Sequence, residues 1–221
     1  MNNIDQDNLK EFKAIIGCDE VGRGPIAGPV VACAVKVKRS EKGLLSQLIK
    51  LNVTDSKKLS TKKRKIILNQ LGIDVKNLKV NHLYKIKYFN LCFEFCLNEC
   101  DHKKIDKINI LQASLLAMKL ASEKLGESQS KVLIDGNKLF ETKYASEAII
   151  KGDSKVVVIG LASIIAKEFR DEKMTQLDQK YPGYNLAKHA GYPTKEHRDA
   201  VKELGPSKIH RKTFKGVKEY L

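Results

Sequence analysis

The sequence predicts an α/β fold in which a sheet is flanked by helices. Short apolar segments with strand character occur at residues 14–16, 30–37 and 131–135. Segments whose apolar residues recur at helical spacing separate and follow them, at 109–125 and 158–181. Ligands of such sheets bind beyond the strand ends, so we expect the functional residues there.

The first half of the chain begins with a hairpin, because two apolar segments within residues 14–37 flank a glycine-rich turn. A loop then leads to a basic helix, which Ser60 or Thr61 caps and which runs to about residue 71. Residues 77–84 alternate in polarity and predict a third strand.

Three cysteines recur at every fourth position, at Cys92, Cys96 and Cys100. This spacing favours three small apolar groups on one helix face. A thiolate metal site is the alternative, but no fourth cysteine or nearby histidine completes the tetrahedral set that structural zinc favours.

The second half of the chain continues the alternation of helices and strands. Asn109 caps a helix that Gly126 stops. A short buried strand then ends in Asp135, and the segment EAIIKGD repeats this pattern and ends in Asp153.

A long helix over residues 158–181 places Ser163, Lys167 and Arg170 three or four positions apart on one face. From about residue 182 the chain is mainly helical. Its residues 195–204 follow a Thr194 cap. Residues 210–221 are basic and are most simply a solvated face. With no long linker or internal repeat, residues 1–221 are expected to form a single domain.

The composition favours a polyanionic partner. The chain has 221 residues, 41 Lys and Arg against 26 Asp and Glu, and a formal net charge of +15. Nucleic acid is the first candidate. No apolar run approaches the roughly 20 residues of a membrane span, and the polar N-terminus does not resemble a signal peptide. The protein is therefore expected to be cytoplasmic.

Four acids stand at predicted strand ends or just beyond them: Asp19, Glu20, Asp135 and Asp153. Such a cluster repels itself unless cations neutralise it. Oxygen ligands suit Mg²⁺ or Mn²⁺, and two such ions about 4 Å apart can promote phosphodiester hydrolysis. Because successive strand side chains face opposite ways, Glu20 could instead contribute its backbone carbonyl.

The turn after the first two acids holds Gly22, Arg23 and Gly24. Its glycines let a ligand approach the main chain, and Arg23 can form two parallel hydrogen bonds to a phosphate. A hairpin turn with solvated charges is the alternative. Among the histidines, His189 could lie near a metal or phosphate, whereas His197 fits a helix surface.

These motifs, taken in order from about residue 14 to residue 214, resemble those of the type 2 ribonuclease H family, the prokaryotic ribonucleases HII. The resemblance includes CDEVGRGPIAGPVVACAV, TDSKKLS, LIDGN, KGDS and YPGYNLAKHAGYPTKEH. It implies a ribonuclease H-like mixed sheet flanked by helices, with a helical C-terminal extension. It also implies endonucleolytic cleavage of RNA in RNA/DNA hybrids and 5′ of single ribonucleotides in duplex DNA, leaving 5′-phosphate and 3′-hydroxyl ends.

The resemblance also assigns roles to individual residues. The family's four metal-binding acids fall on the four acids already named. Its glycine-arginine-glycine turn falls on residues 22–24, and its junction-sensing tyrosine on Tyr192. Lys57, Ser163 and Lys167 match positions near the nucleic acid, and their chemistry suits backbone phosphates.

One departure from the family pattern is Gly160 and Leu161, where small alanine-like residues are expected. This change is expected to affect helix packing more than chemistry. No recognisable sliding-clamp peptide ends the chain, which leaves a replication partner open. We expect a monomer without an obligatory protein partner. A non-catalytic RNA-binding protein would explain the charge but not the acids, and a phosphate-binding ATPase would explain the acids and glycines but not the basic surface.

Overall fold

The computed structural model describes residues 4–221, and six strands in this part of the chain form one mixed sheet. The predicted sheet flanked by helices is thereby confirmed. The strands are β1 (Ala14–Val21), β2 (Val30–Lys38), β3 (Leu83–Tyr88), β4 (Leu91–Cys100), β5 (Ser130–Asp135) and β6 (Ala145–Ile149).

The sheet has the strand order β3-β4-β2-β1-β5-β6. The first four strands in the chain pair antiparallel, including the predicted opening hairpin of β1 and β2. Strand β5 pairs parallel to β1, and β6 pairs parallel to β5. The C-terminal ends of these three parallel strands therefore lie side by side at one edge of the sheet.

Helices cover both faces of the sheet. Alternate residues of β1 point to opposite sides, so that Ile15 belongs to one core cluster and Ile16 to the other. The helices are α1 (Ile4–Glu11), α2 (Gly43–Lys50), α3 (Thr61–Gln70), α4 (His102–Ile108), α5 (Ile110–Leu125), α6 (Gly152–Lys155), α7 (Val157–Lys180), α8 (Leu186–His189) and α9 (Lys195–Leu204).

The predicted helix starts are confirmed by side-chain hydrogen bonds. Ser60 accepts from the Lys63 N–H at the start of α3, and Asn109 accepts from the Gln112 N–H at the start of α5. Thr194 accepts from the His197 N–H at the start of α9. Each cap satisfies a backbone donor that the first helical turn leaves unpaired.

Helix α7 has an unusual cap that comes from a distant part of the chain. The buried carboxylate of Asp5 in α1 accepts from Val157 N at 2.8 Å and from Val158 N at 3.2 Å. Burial raises the pKa of Asp5 to about 6, although these two hydrogen bonds oppose the shift. The N-terminal helix is thus tied to the start of the helix that carries Ser163 and Lys167.

Two predictions of secondary structure in the first half of the chain were wrong. The three regularly spaced cysteines lie on strand β4, because a spacing of four places residues on one face of a strand as well as of a helix. Cys96 and Cys100 are buried in the core. Strand β3 begins only at Leu83, since the alternating residues 83–88 pair with β4, and residues 75–77 form a 3₁₀ turn.

The C-terminal residues 210–221 are not simply a solvated face. His210 and Arg211 are buried, and Ala27 forms an isolated bridge with His210. Arg211 N donates to Ile26 O at 2.8 Å. The end of the chain therefore packs against the loop between β1 and β2. Within residues 4–221 no helix is long and apolar enough to cross a membrane.

Candidate active site

Three of the four acids lie where parallel strands end together. The pairing of β1 with β5 extends to Cys18 and Ile134, and Asp19 and Asp135 are the next residues on the two strands. Glu20 follows on β1. The sheet topology therefore brings acids that are far apart in the chain to one edge.

Asp153 joins them from a different kind of element. The expectation that it ends a strand was wrong, because β6 ends at Ile149 and Asp153 lies in the first turn of α6. The carboxylate of Asp135 accepts from Gly152 N at 2.7 Å and from Asp153 N at 3.4 Å. This contact holds the start of α6 against the end of β5.

The negative charges of the four acids repel one another, which contributes to raised pKa values. Burial raises the pKa of Asp19, which is only 6% exposed, well above its usual range. The charges of Glu20, Asp135 and Asp153 raise it further. Burial and the charge of Asp135 also raise the pKa values of Glu20 and Asp153. The four carboxylates thus form one cluster of repelling charges.

Two basic side chains partly offset this repulsion. Arg23 Nη1 lies 3.4 Å from Glu20 Oε1 and lowers the pKa of that carboxyl. Burial lowers the pKa of Lys57, but the nearby carboxylates, led by Asp19 and Asp153, outweigh burial and raise it. Lys57 therefore faces the acid cluster as a firmly charged ammonium group.

The donor set fits a hard divalent cation, since it consists of carboxylate oxygens. Within residues 4–221, no three such groups converge as a formed metal cluster. Asp19 Oδ1 accepts from Glu20 N at 2.7 Å, and Asp135 Oδ1 accepts from Gly152 N. The mutual repulsion that raises the pKa values is the electrostatic condition that a bound cation would relieve.

Sequence reasoning missed Asp55, which belongs to this neighbourhood. Its carboxylate accepts from Lys57 N at 2.8 Å and so begins a 3₁₀ turn at Ser56–Lys58. Its charge also contributes to the raised pKa of Asp153. The signal was the Asp-Ser pair before Lys57, which is typical of a side-chain-capped turn.

The glycine turn lies beside Tyr192. Gly22 has a φ of +96°, and a side chain there would collide with Arg170. A Cβ atom at Gly24 would lie 3.3 Å from the Tyr192 ring, which is 38% exposed. Arg23 and Gly24 are exposed as well. The turn and the aromatic ring therefore form adjacent parts of one accessible surface.

A buried histidine holds the main chain of Tyr192, and a half-buried one packs against it. His197 is 0% exposed, so its placement on a helix surface was wrong. Its Nδ1 lies 3.0 Å from Tyr192 O. His189 stacks on His197 at 4.4 Å between ring centroids, and its Nε2 lies 2.9 Å from Tyr184 O. These histidines support the Tyr192 loop from beneath.

The three residues expected on one face of α7 have different surroundings. Ser163 is buried, 2.8 Å from the Ser56 hydroxyl, and its hydrogen bond lowers the pKa of Asp19. Lys167 pairs with Asp171 at 2.8 Å. Arg170 is fully buried and donates to three backbone carbonyls, so it is not available to bind phosphate.

Gly160 packs closely against the acid cluster. A Cβ atom there would lie 2.9 Å from Asp153 O and 3.3 Å from Thr54 Cα. The departure from the alanine-like pattern does concern packing, as expected, but this packing sets how closely α7 approaches the backbone of Asp153.

Two cavities border these residues. A cleft of about 600 Å³ lies between α3, α7 and α8, and its lining includes Lys65, Lys167 and Tyr192. A smaller pocket of about 190 Å³ is lined by Glu20, Asp135 and other residues. The acid cluster and the aromatic ring therefore each border a recess in the surface.

Comparison with known proteins identifies the family of this chain. The family model described as Ribonuclease HII matches residues 16–217. The Ribonuclease HII of Francisella tularensis subsp. mediasiatica (strain FSC147) is 42% identical over 207 residues, which cover 94% of this chain and 98% of that protein.

Solved structures with low sequence identity share the fold. The RNase HII in a PCNA:RNase HII complex from Archaeoglobus fulgidus has a TM-score of 0.69 at 21% identity and covers 91% of this chain and 95% of that chain. Bst-RNase HIII in complex with Mn²⁺ has a TM-score of 0.63 at 17% identity, and the match covers 96% of this chain and 71% of that chain. From the family match and the close relative together, the chain belongs to the ribonuclease HII family.

Proposed function

We propose that this protein hydrolyses the RNA strand of RNA/DNA hybrids and nicks duplex DNA on the 5′ side of single embedded ribonucleotides. The observation that carries the proposal is the placement of Asp19, Glu20, Asp135 and Asp153 at one sheet edge, where their negative charges repel one another and a divalent cation would neutralise them. The family membership supplies the substrate class.

The four acids would hold Mg²⁺ or Mn²⁺, with two ions during catalysis. Bound there, divalent cations supply charge stabilisation for the phosphate and lower the pKa of a water molecule. Bst-RNase HIII, a solved protein with a similar fold, forms a complex with Mn²⁺. The expected products carry 5′-phosphate and 3′-hydroxyl ends.

The protein's own residues position the substrate. The ammonium group of Lys57, beside the acids, suits the phosphate next to the cleaved bond, and Lys167 suits a phosphate farther along the cleft. Ser163 matches a family position near the nucleic acid, and its hydroxyl lies beside Asp19. The net charge of +15 supports binding to the backbone of a duplex.

Recognition of RNA requires contact with the 2′-hydroxyl, which DNA lacks. The exposed backbone of Arg23 and Gly24, which the buried Gly22 precedes in the turn, supplies polar groups for it. The adjacent Tyr192 ring supplies a surface on which a sugar or base can stack. We also propose that residues 1–221 act as a single, monomeric domain in the cytoplasm. The PCNA complex is a property of the Archaeoglobus fulgidus protein.

An end-labelled RNA/DNA hybrid tests the metal requirement. We expect cleavage with added Mg²⁺ or Mn²⁺ and none after exhaustive chelation, because only a cation can bring a phosphate against four repelling carboxylates. Cleavage should return when the cation is restored. Full activity in chelator would contradict the proposal, and binding without cleavage under every condition would favour a non-catalytic RNA-binding protein.

A further inference from the structure

Arg211 is a buried cation with an unusual set of partners. Its side chain is 0% exposed and donates only to backbone carbonyls: Nη2 to Gly22 O at 2.7 Å, Nη1 to Arg23 O at 3.0 Å and Nε to Gly28 O at 3.0 Å. Asp106, the nearby carboxylate whose charge raises the pKa of Arg211, accepts from the N–H groups of Lys212 and Thr213 instead of pairing with the guanidinium. A buried guanidinium without a counter-ion is costly, so its placement beneath the glycine turn calls for an explanation.

The hydrogen bonds of Arg211 fix the direction of two peptide groups. In a trans peptide, the N–H of each residue points opposite to the C=O of the residue before it, and all peptide bonds in the described chain are trans. With the carbonyls of Gly22 and Arg23 drawn inward, the N–H groups of Arg23 and Gly24 point outward. Neither donates to a backbone carbonyl within residues 4–221.

Arg211 itself is held firmly. Its own N–H donates to Ile26 O, and Gly28 N donates to Ile209 O at 3.0 Å, so the C-terminal segment is paired with the loop that follows the turn. Its guanidinium carbon lies 5.1 Å from the centre of the Phe214 ring. Burial and the charge of Arg170 lower the pKa of Arg211 to about 9, which keeps it charged at neutral pH.

We infer that Arg211 is a positioning residue for RNA recognition, which fixes the outward N–H groups of Arg23 and Gly24 as donors to the 2′-hydroxyl of the ribonucleotide. This inference rests on the proposed function. Arg211 reaches the three carbonyls from three separate nitrogen atoms of one rigid plane. Lysine has three donors too, but they share one nitrogen atom and cannot reproduce this spread. The C-terminal segment thus contributes to specificity without touching the substrate.

The inference predicts a loss of discrimination in Arg211→Lys and Arg211→Gln. Both are made in an Asp135→Asn background, which blocks cleavage, and affinity is measured in Mg²⁺ for two duplexes that differ only in one 2′-hydroxyl. We expect the preference for the ribonucleotide to fall about fivefold, the equivalent of one hydrogen bond. The salt dependence of binding should stay unchanged, because no phosphate contact is removed.

A matched control separates positioning from general destabilisation. Leu48→Ala, in the buried face of α2 and in a different core cluster from Ile26 and Ala27 after the turn, should lower thermal stability yet keep the preference of the background protein. If the Arg211 variants keep that preference as well, or the background protein has none, the inference is wrong while cleavage by the unsubstituted protein still upholds the proposed function. If the unsubstituted protein cuts neither substrate, the proposed function itself fails.

A second measurement needs no substitution of Arg211. In the ¹⁵N-labelled Asp135→Asn protein, the amide signals of Arg23 and Gly24 should shift differently with the two duplexes, because only one duplex offers the 2′-hydroxyl as an acceptor. Equal shifts with both duplexes would overturn the inference even if the Arg211 variants failed to fold.

Discussion

Asp135→Asn is expected to lower the cleavage rate by a factor on the order of 10³, or about 4 kcal/mol of transition-state stabilisation, while substrate affinity changes little. Asparagine keeps the shape and can still accept the hydrogen bond from Gly152 N. It removes the charge that a divalent cation needs. Affinity is retained because basic side chains elsewhere bind the phosphates. Asp153→Asn should behave in the same way.

Single-turnover cleavage and equilibrium binding, measured side by side, check this result. Asp199→Asn is a matched control, since Asp199 is exposed on α9. It should leave both quantities unchanged. In chelator, the thermal stability of Asp135→Asn should be at least that of the parent protein, because one of several repelling charges is gone. Near-normal turnover by either site variant would contradict the assigned acid cluster.

Tyr192→Ala is expected to slow cleavage at a single embedded ribonucleotide by about 10- to 100-fold, the range that loss of one stacking contact allows. Without the ring, the sugar no longer seats the phosphate beside the acids. Cleavage of long hybrids should fall less, because contacts along the duplex compensate. The ratio of the two rates is the quantity to measure.

Two further variants sharpen this test. Tyr192→Phe keeps the stacking surface, so the ratio of the two cleavage rates should stay close to that of the parent protein. Tyr220→Ala removes another exposed tyrosine, far from Tyr192 in the sequence, and should leave both rates unchanged. If Tyr192→Ala cuts the single ribonucleotide as fast as the parent, Tyr192 serves only in packing.

Features governed by neighbouring residues were predictable from the sequence. The caps at Ser60, Asn109 and Thr194 need only a side chain and the next turn of backbone. The hairpin around the glycine turn is also local. The acids at the ends of β1 and β5 were identified because apolar strands stop at them, and parallel pairing then places Asp19 beside Asp135.

Features that depend on tertiary packing were not predictable. Arg211 and His197 read as surface groups because polar residues in basic or charged segments are mostly solvated, yet backbone carbonyls and neighbouring rings satisfy them inside the protein. The cysteines of β4 were assigned to a helix because one spacing fits both structures. Asp153 follows an apolar strand, but three residues separate the end of β6 from it.

The most direct test of the account is the cut pattern on an end-labelled DNA duplex that contains one ribonucleotide. In Mg²⁺ we predict a single cut, on the 5′ side of the ribonucleotide, that leaves a 3′-hydroxyl on the upstream fragment, while the same duplex without the 2′-hydroxyl stays intact. Cuts in the all-DNA duplex, or an intact ribonucleotide-containing duplex under conditions in which a long hybrid is cleaved, would contradict it.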